Sequence, residues 1–355
     1  MINPSTFHDL VSGQRRGVTA SLARGLLGVA ELPYGLAVRW RNRSYDRRKR
    51  AIQQVAVPVV SVGNLTTGGT GKTPLVEWLA RWYRTREIRV TIVSRGYGAQ
   101  AGAKNDEALE LERKLPDVPH LQNPDRVAAA QTAIEELECQ LILLDDGFQH
   151  RRLHRDLDIV LIDAIEPFGF NHLLPRGLLR EPLAGLRRAD AIVLSRSDAV
   201  DRATREHIRD RATRFNNAAV WVEVAHCPTR LRSSTGAETP VTQFAGRRVA
   251  AFCGIGNPAG FRHTLEACQY EVAGFREFPD HYGYQREDID ALSSWVAGLE
   301  GVEAILCTQK DLVKLGVERL GPWPLWALNI GIAVTHGEKE LVRLLESTVE
   351  RVLSF

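Results

Sequence analysis

The chain has 355 residues, 44% of them hydrophobic and 25% charged, with a formal net charge of +3 at neutral pH. This length allows two domains with full cores, and the composition is that of an ordinary soluble globular protein. The five cysteines form no CxxC pair and no Cys/His cluster at metal spacing. Composition therefore argues against structural zinc and for reduced thiols in a cytoplasmic compartment.

The first 50 residues combine an apolar segment, Gly25–Val38, with a cluster of Arg and Lys over residues 39–50. Fourteen residues are too few to cross a bilayer, which needs about 20, and Pro33 should interrupt a continuous helix. Two interpretations stay open: a segment at an anionic membrane surface with Tyr34 and Trp40 as anchors, or a helix packed on the core. Nucleic acid is a third partner for the basic cluster, but no recognition motif accompanies it.

The most informative stretch is Val57–Thr73, where a β-branched apolar run leads into glycines and then into a helical apolar pattern. Glycines let backbone N–H groups turn around an anion, and a helix N-terminus adds partial positive charge. Lys72 could reach nucleotide phosphates and Thr73 could ligate Mg²⁺. The strict pattern would have glycine at Thr66, so a glycine-rich turn in an unrelated α/β fold is the alternative. The predicted phosphate-binding loop comprises Gly68, Gly69, Thr70, Gly71, Lys72 and Thr73.

A pair of acids follows a second apolar strand. Gln140–Leu144 is a continuous apolar run that ends in Asp145 and Asp146. An acid at the tip of a buried strand, after a phosphate loop, is typical of the Mg²⁺-binding carboxylate of P-loop enzymes. The alternative is a plain strand-end turn, which Asp-Gly favours.

Strands and helices alternate over Val57–Phe215, which predicts an α/β fold with a parallel sheet wound on both sides. A change of pattern then predicts a strand at Val220–Val224 that returns at Val241–Phe244. The predicted organisation has four parts: an N-terminal helical segment (1–50), a P-loop core domain (51–218), a two-stranded linker (219–247) and a smaller C-terminal α/β domain (248–355).

Two weaker motifs lie in the second half of the chain. Gly254, Gly256 and Ala259 fit a dinucleotide fingerprint, but Pro258 occupies the turn, so a tight strand-to-helix turn is the simpler account. The stretch Thr308–Asp311 suggests a base-recognition motif, as in a P-loop GTPase or ATPase switch.

Several motifs occur in one order between residues 57 and 315: VGNLTTGGTGKTP, SRGYG, LDDGFQH, PRGLLREP, GIGNP, FPDH and TQKDLVKL. On these motifs the chain resembles the tetraacyldisaccharide 4′-kinases, the lipid A kinases of Gram-negative bacteria. The resemblance implies a P-loop NTPase-like domain with a smaller α/β domain, and a requirement for ATP and Mg²⁺. It also implies transfer of phosphate to the 4′-hydroxyl of a tetraacylated glucosamine disaccharide 1-phosphate lipid, giving lipid IV-A. The functional alternatives are the nucleotide switch and a membrane-bound nucleotide-binding module.

The resemblance further implies where the protein acts and which residues act. It implies peripheral docking on the anionic cytoplasmic face of the inner membrane and no nucleic-acid partner, which favours membrane contact by residues 1–50. It implies Asp106 as the catalytic base with His281 as its partner, because a carboxylate–imidazole pair accepts a hydroxyl proton readily at neutral pH. Mg²⁺ would lie between Thr73 and one or both of Asp145 and Asp146. Residues that match the substrate-site motifs of the family are Glu107, Arg126, Gln149, His150, Arg180 and Glu181.

Overall fold

The structure is a computed structural model that describes residues 4–96, 106–279 and 282–353. Its helices are α1 (Pro4–Ser12), α2 (Val18–Asp46), α3 (Lys72–Arg84), α4 (Asp106–Lys114), α5 (Arg126–Leu137), α6 (Arg202–Thr213), α7 (Pro258–Ala267), α8 (Arg286–Ala297), α9 (Gln309–Leu315) and α10 (Glu338–Leu353). Its strands are β1 (Val59–Asn64), β2 (Val90–Ser94), β3 (His120–Gln122), β4 (Leu141–Asp145), β5 (Leu157–Asp163), β6 (Ala191–Ser195), β7 (Val220–Arg232), β8 (Glu238–Pro240), β9 (Arg248–Cys253), β10 (Glu271–Glu277), β11 (Ala304–Thr308), β12 (Arg319–Leu320) and β13 (Trp323–His336).

The chain forms two compact units, one of Met1–Ala225 with Ala333–Phe355 and the other of His226–Ile332. This division differs from the predicted C-terminal domain of residues 248–355, because the last helix belongs to the first unit. Helix α10 buries an apolar face there, and the hydroxyl groups of Tyr83 and Thr348 lie 2.7 Å apart in the core of that unit. The heptad-like pattern of α10 is visible in the sequence, but the surface that receives it is not.

The sheet of the first unit is parallel, in the order β3-β2-β4-β1-β5-β6-β7. Strands β1, β4, β5 and β6 are buried along their whole length, as expected for strands covered on both faces. The predicted α/β class is confirmed. Asp125 caps α5, since its side chain accepts hydrogen bonds from the N–H groups of Val127 and Ala128.

The N-terminal helix α2 runs through Pro33 without a break, so the predicted interruption was wrong. Proline removes the hydrogen bond to the carbonyl oxygen four residues earlier, here that of Val29. Val29 and Pro33 lie on the solvent-exposed face, where water can hydrogen-bond to that carbonyl oxygen. Among the described helices, none is long and apolar enough to cross a membrane.

The predicted return strand at Val241–Phe244 was also wrong, because these residues form a 3₁₀ turn. The return is made earlier by β8, which pairs antiparallel with Arg230–Arg232 of β7. Pro240 lacks an N–H group and therefore ends the ladder. Phe244 instead packs into the core of the second unit.

The second unit has its own parallel strands, in the order β10-β9-β11-β13, with β12 antiparallel to β13. Two apolar clusters fill it, one around Phe261 and Leu306 and the other around Phe252 and Leu325. The predicted strand-to-helix turn after β9 is present: Asn257 caps α7 by accepting a hydrogen bond from the N–H of Gly260.

Candidate active site

The phosphate loop lies between the end of β1 at Asn64 and the start of α3 at Lys72, at the carboxyl edge of the sheet. Gly68 and Gly71 have φ angles of 111° and 82°, which side chains rarely adopt. The positive φ of Gly71 turns the chain directly into the helix N-terminus. The predicted strand, loop and helix are therefore all present, and the loop sits where parallel sheets bind ligands.

Three predicted site residues come together beside this loop. The Lys72 ammonium lies 3.6 Å from a carboxylate oxygen of Asp146 and also donates to the Asn64 side-chain oxygen over 3.3 Å. The Arg180 guanidinium donates to both Asp146 oxygens, over 2.9 and 2.7 Å. Burial raises the pKa of Asp146, but Lys72 and Arg180 outweigh it and hold the pKa below its usual value. Two cations around one carboxylate leave net positive charge for an anionic ligand.

Asp145 and Asp146 have different surroundings although they are adjacent. Asp145 ends β4 opposite Val62 of β1 and is buried. Asp146 follows in the left-handed region, with φ of 53°, and its side chain is one-third exposed. An Asp tolerates this conformation better than most residues. The left-handed turn directs Asp146 to Lys72 and Arg180.

Arg126 is a buried cation close to this acidic pair. Its residue exposure is 6%, and its Nε has no hydrogen-bond acceptor among the described residues. Burial lowers the pKa of Arg126, while the charges of Asp146 and Asp145 act in the opposite direction. A buried guanidinium with an unused donor is costly unless an anion meets it.

Glu181 and Gln149 form a buried polar network behind the loop. Glu181 is fully buried and accepts hydrogen bonds from Arg188, Asn42 and Gln149 at 3.0, 2.9 and 3.1 Å. Gln149 also donates to the backbone carbonyl of Asn64 at the end of β1, over 2.8 Å. The network therefore ties the N-terminal helix and the acidic loop to the phosphate loop.

His150 lies in the same acidic loop in a partly buried position. Burial, with the nearby charges of Arg126 and Arg155, lowers the pKa of His150 to about 4. The ring is therefore neutral near pH 7 and offers hydrogen bonds rather than charge.

Some predicted site residues lie outside what the structure describes. Helix α4 begins at Asp106, but the side chains of Asp106 and Glu107 fall outside the described residues, as does all of His281. Thr73 is the second residue of α3. Within the described ranges, no group of three or more His, Cys, Asp or Glu side chains could hold a metal ion. A Mg²⁺ ion here would depend on few protein oxygens and on the nucleotide.

The motif Thr308–Asp311 does not have an open base-binding carboxylate. Asp311 is fully buried and accepts hydrogen bonds from the Gly254 N–H at 3.1 Å and from the hydroxyl groups of Tyr284 and Thr308 at 2.9 and 2.6 Å. This carboxylate joins two turns of the second unit. The structure gives no support to the base-recognition interpretation.

Sequence reasoning missed three residues that hydrogen-bond to the phosphate loop, Asn64, Ser195 and Arg196, and Asp163, which pairs with Arg196. In the sequence, each of the four ends or directly follows an apolar run. Strand-end polar residues are common, so that signal could not single them out.

A parallel sheet with a phosphate loop, cationic side chains and an acidic pair at its carboxyl edge defines a P-loop nucleotide-binding protein. The sequence profile of the family described as tetraacyldisaccharide-1-P 4′-kinase matches residues 23–350. The chain belongs to this family and is therefore an enzyme, a kinase.

Individual relatives are similar to this chain over most of their length. A tetraacyldisaccharide 4′-kinase of Anaeromyxobacter dehalogenans is 42% identical over 347 residues, covering 93% of this chain and 90% of the relative. One from Halothermothrix orenii is 34% identical over 334 residues, covering 86% of each. The crystal structure of LpxK from Aquifex aeolicus in complex with ATP has a TM-score of 0.73 and 32% identity, covering 92% of this chain and 99% of that one.

Proposed function

We propose that this kinase transfers the γ-phosphate of ATP to the 4′-hydroxyl of a tetraacylated glucosamine disaccharide 1-phosphate, giving lipid IV-A. The family and its ATP-bound structural relative support the activity and the nucleotide. The observation that carries the site assignment is the cluster of Lys72, Asp146 and Arg180 beside the phosphate loop.

Phosphoryl transfer requires charge neutralisation and an oriented acceptor more than covalent chemistry by the protein. The N–H groups at the start of α3 would hold the phosphates, and Lys72 would neutralise charge on the transferring group. Arg180 and Arg126 would meet the remaining phosphate oxygens, of the γ-phosphate or of the lipid 1-phosphate. The unused Nε of Arg126 supports that role.

The oxygen donors at the carboxyl edge fit Mg²⁺, which prefers carboxylate, hydroxyl and phosphate oxygens. Thr73 with Asp145, Asp146 or both would hold the ion, which when bound neutralises phosphate charge. For the acceptor hydroxyl we propose Asp106 as the base and His281 as the group that keeps it a good acceptor, as the family motifs imply. Gln149, Glu181, His150 and Glu107 would shape the site, with Glu181 acting through the residues it holds.

We further propose that α2 docks on the anionic cytoplasmic face of the inner membrane as a peripheral contact. One face of this helix carries apolar side chains that are 65% to 77% exposed: Val18, Leu22, Leu26, Val29, Leu32, Leu36 and Trp40. Their spacing of three or four residues places them in one stripe along the helix. Such a stripe next to many Arg residues suits a lipid surface, where the substrate's acyl chains are found.

The test is formation of a doubly phosphorylated disaccharide lipid from labelled ATP, followed by thin-layer separation, with the parent and Lys72→Ala. We expect Lys72→Ala to lower turnover by about three orders of magnitude, the size of a lost charged transition-state contact. Lys339→Ala, an exposed lysine on α10 of the same unit, is the matched control. ATP hydrolysis without a lipid product would favour a nucleotide switch, and equal activity of the two variants would remove Lys72 from the site.

A further inference from the structure

A fully buried serine on a different strand donates a hydrogen bond to the phosphate loop. Ser195 ends β6, and its hydroxyl donates to the backbone carbonyl oxygen of Thr70 over 2.7 Å. The Thr70 hydroxyl in turn accepts a hydrogen bond from the Asn64 side chain over 3.0 Å. Thr70 is therefore held from two sides, by β1 through its side chain and by β6 through its backbone.

The residue after Ser195 contacts the preceding peptide unit of the loop. Arg196 donates from Nη2 to the backbone carbonyl oxygen of Gly69 over 3.4 Å. Its guanidinium also pairs with Asp163, the last residue of β5, with an Nε–Oδ1 distance of 2.9 Å. Asp163 and Ser195 are register partners in the sheet, so these contacts start from one rigid point. We call Asp163, Ser195 and Arg196 the loop brace.

The geometry of the peptide bond gives this brace a function. In a planar trans peptide unit the C=O and N–H groups point in opposite directions. The Thr70 carbonyl points to Ser195, so the N–H of Gly71, which shares that peptide unit, points away from it. Gly71 directly precedes Lys72 at the start of α3, where N–H groups without helical partners bind phosphate.

We propose that Ser195 is a positioning residue for ATP, which holds the Thr70 peptide unit so that the Gly71 N–H faces the nucleotide phosphates. Arg196, which is held by Asp163, fixes the orientation of the Gly69 carbonyl in the same way. Without the Ser195 hydroxyl, the Thr70 carbonyl loses its donor and can rotate, and a carbonyl oxygen turned into the loop would repel phosphate. The inference rests on the proposal that this loop binds ATP.

The experiment measures ATP binding to the full chain by titration calorimetry and steady-state kinetics with each substrate varied. Ser195→Ala should raise the Kd and the KM for ATP by roughly five- to tenfold, the scale of one hydrogen bond in a buried site. The KM for the lipid should stay within about twofold. Ser195→Cys, which keeps a weak donor, should restore part of the ATP affinity.

Two further variants make the result specific. Ser61→Ala removes a fully buried hydroxyl from β1 of the same sheet and should leave the KM for ATP unchanged. Asp163→Asn frees Arg196 and should raise the KM for ATP by a smaller factor, which provides a second test if Ser195→Ala folds poorly. If both Ser195→Ala and Asp163→Asn bind ATP like the parent while Lys72→Ala does not, the proposed role of the loop brace is wrong. The proposal that the phosphate loop binds ATP then stands. If Lys72→Ala also binds and turns over ATP normally, the proposed site itself is wrong.

Discussion

Tyr34 donates its hydroxyl hydrogen to the backbone carbonyl oxygen of Arg180 over 2.9 Å, which joins the N-terminal helix to the residue that pairs with Asp146. The same helix contacts this loop again through Glu31, which accepts a hydrogen bond from the Leu173 N–H over 2.7 Å. The inner face of α2 thus holds a loop of the site, while its outer face carries the exposed apolar stripe.

Removing the Tyr34 hydroxyl should loosen Arg180 without removing any charge. We expect Tyr34→Phe to lower kcat by roughly three- to fivefold, because one net hydrogen bond contributes about 1 kcal/mol. ATP affinity should change less. Tyr45→Phe is the matched control on the same helix, since the Tyr45 ring contacts Arg50 and Arg151 and phenylalanine keeps that ring. Equal kcat values for the two variants would show that the contact is not used in turnover.

The apolar stripe of α2 should determine vesicle binding at high salt. We expect the replacement of Leu22, Leu26, Leu32 and Leu36 by Gln, which preserves helix propensity, to abolish cosedimentation with anionic vesicles at 1 M salt. Some binding should survive at low salt, because each nearby Arg or Lys contributes about 1 kcal/mol before screening. Unchanged high-salt binding, with circular dichroism confirming the fold, would exclude the stripe as the membrane contact.

The two adjacent acids should respond differently to amidation. Asp146→Asn removes the counter-charge of Lys72 and Arg180, so we expect turnover to fall about 100-fold while ATP binding without Mg²⁺ becomes tighter. Asp145→Asn changes a buried strand-end residue. It should weaken Mg²⁺-dependent ATP binding and should not tighten ATP binding in the absence of Mg²⁺. The measurement is ATP affinity with and without Mg²⁺, together with kcat. Identical behaviour of the two variants would show that their different surroundings have no functional meaning.

His150 should make the protein less stable in mild acid. Burial and neighbouring arginines lower its pKa from 6.5 to about 4. Between these values the unfolded chain binds a proton that the folded chain does not, so the free energy of unfolding should fall as the pH drops from 6.5 towards 4. His150→Gln should therefore flatten the fall of Tm over this window. His207→Gln, an exposed histidine on α6, should leave the slope unchanged. A parallel slope for both variants would assign the acid sensitivity to other groups.

Asp106 and His281 should act as one functional unit if they form the proposed base and its partner. Asp106→Asn should remove most of kcat with little change in ATP affinity, and His281→Gln should cost less, because the carboxylate can still accept a proton. The double variant should then be little worse than Asp106→Asn alone. Multiplicative losses in kcat would show that the two residues act independently.

Local patterns in the sequence determined many of the secondary-structure elements of this protein. The strand, glycine loop and helix of Val59–Arg84, the Asp125 cap and the acidic strand end at Asp145 were all predictable, because each depends on residues close together in sequence. The order of the motifs also identified the family. The predictions at Pro33 and at Val241–Phe244 were wrong because the local rules behind them depend on the tertiary surroundings. At Pro33 these are exposure to solvent, and at Val241–Phe244 they are packing against a neighbouring core.

Only the tertiary structure decided how distant residues meet. The pairing of Arg180 with Asp146, the Ser195 contact to Thr70 and the placement of α10 in the first unit connect positions 34, 125 and about 265 residues apart. Sequence supplies the donors and acceptors but no distance between them. Parallel strands bring their carboxyl ends to one edge whatever their separation in the chain, and that register determines which polar ends become neighbours.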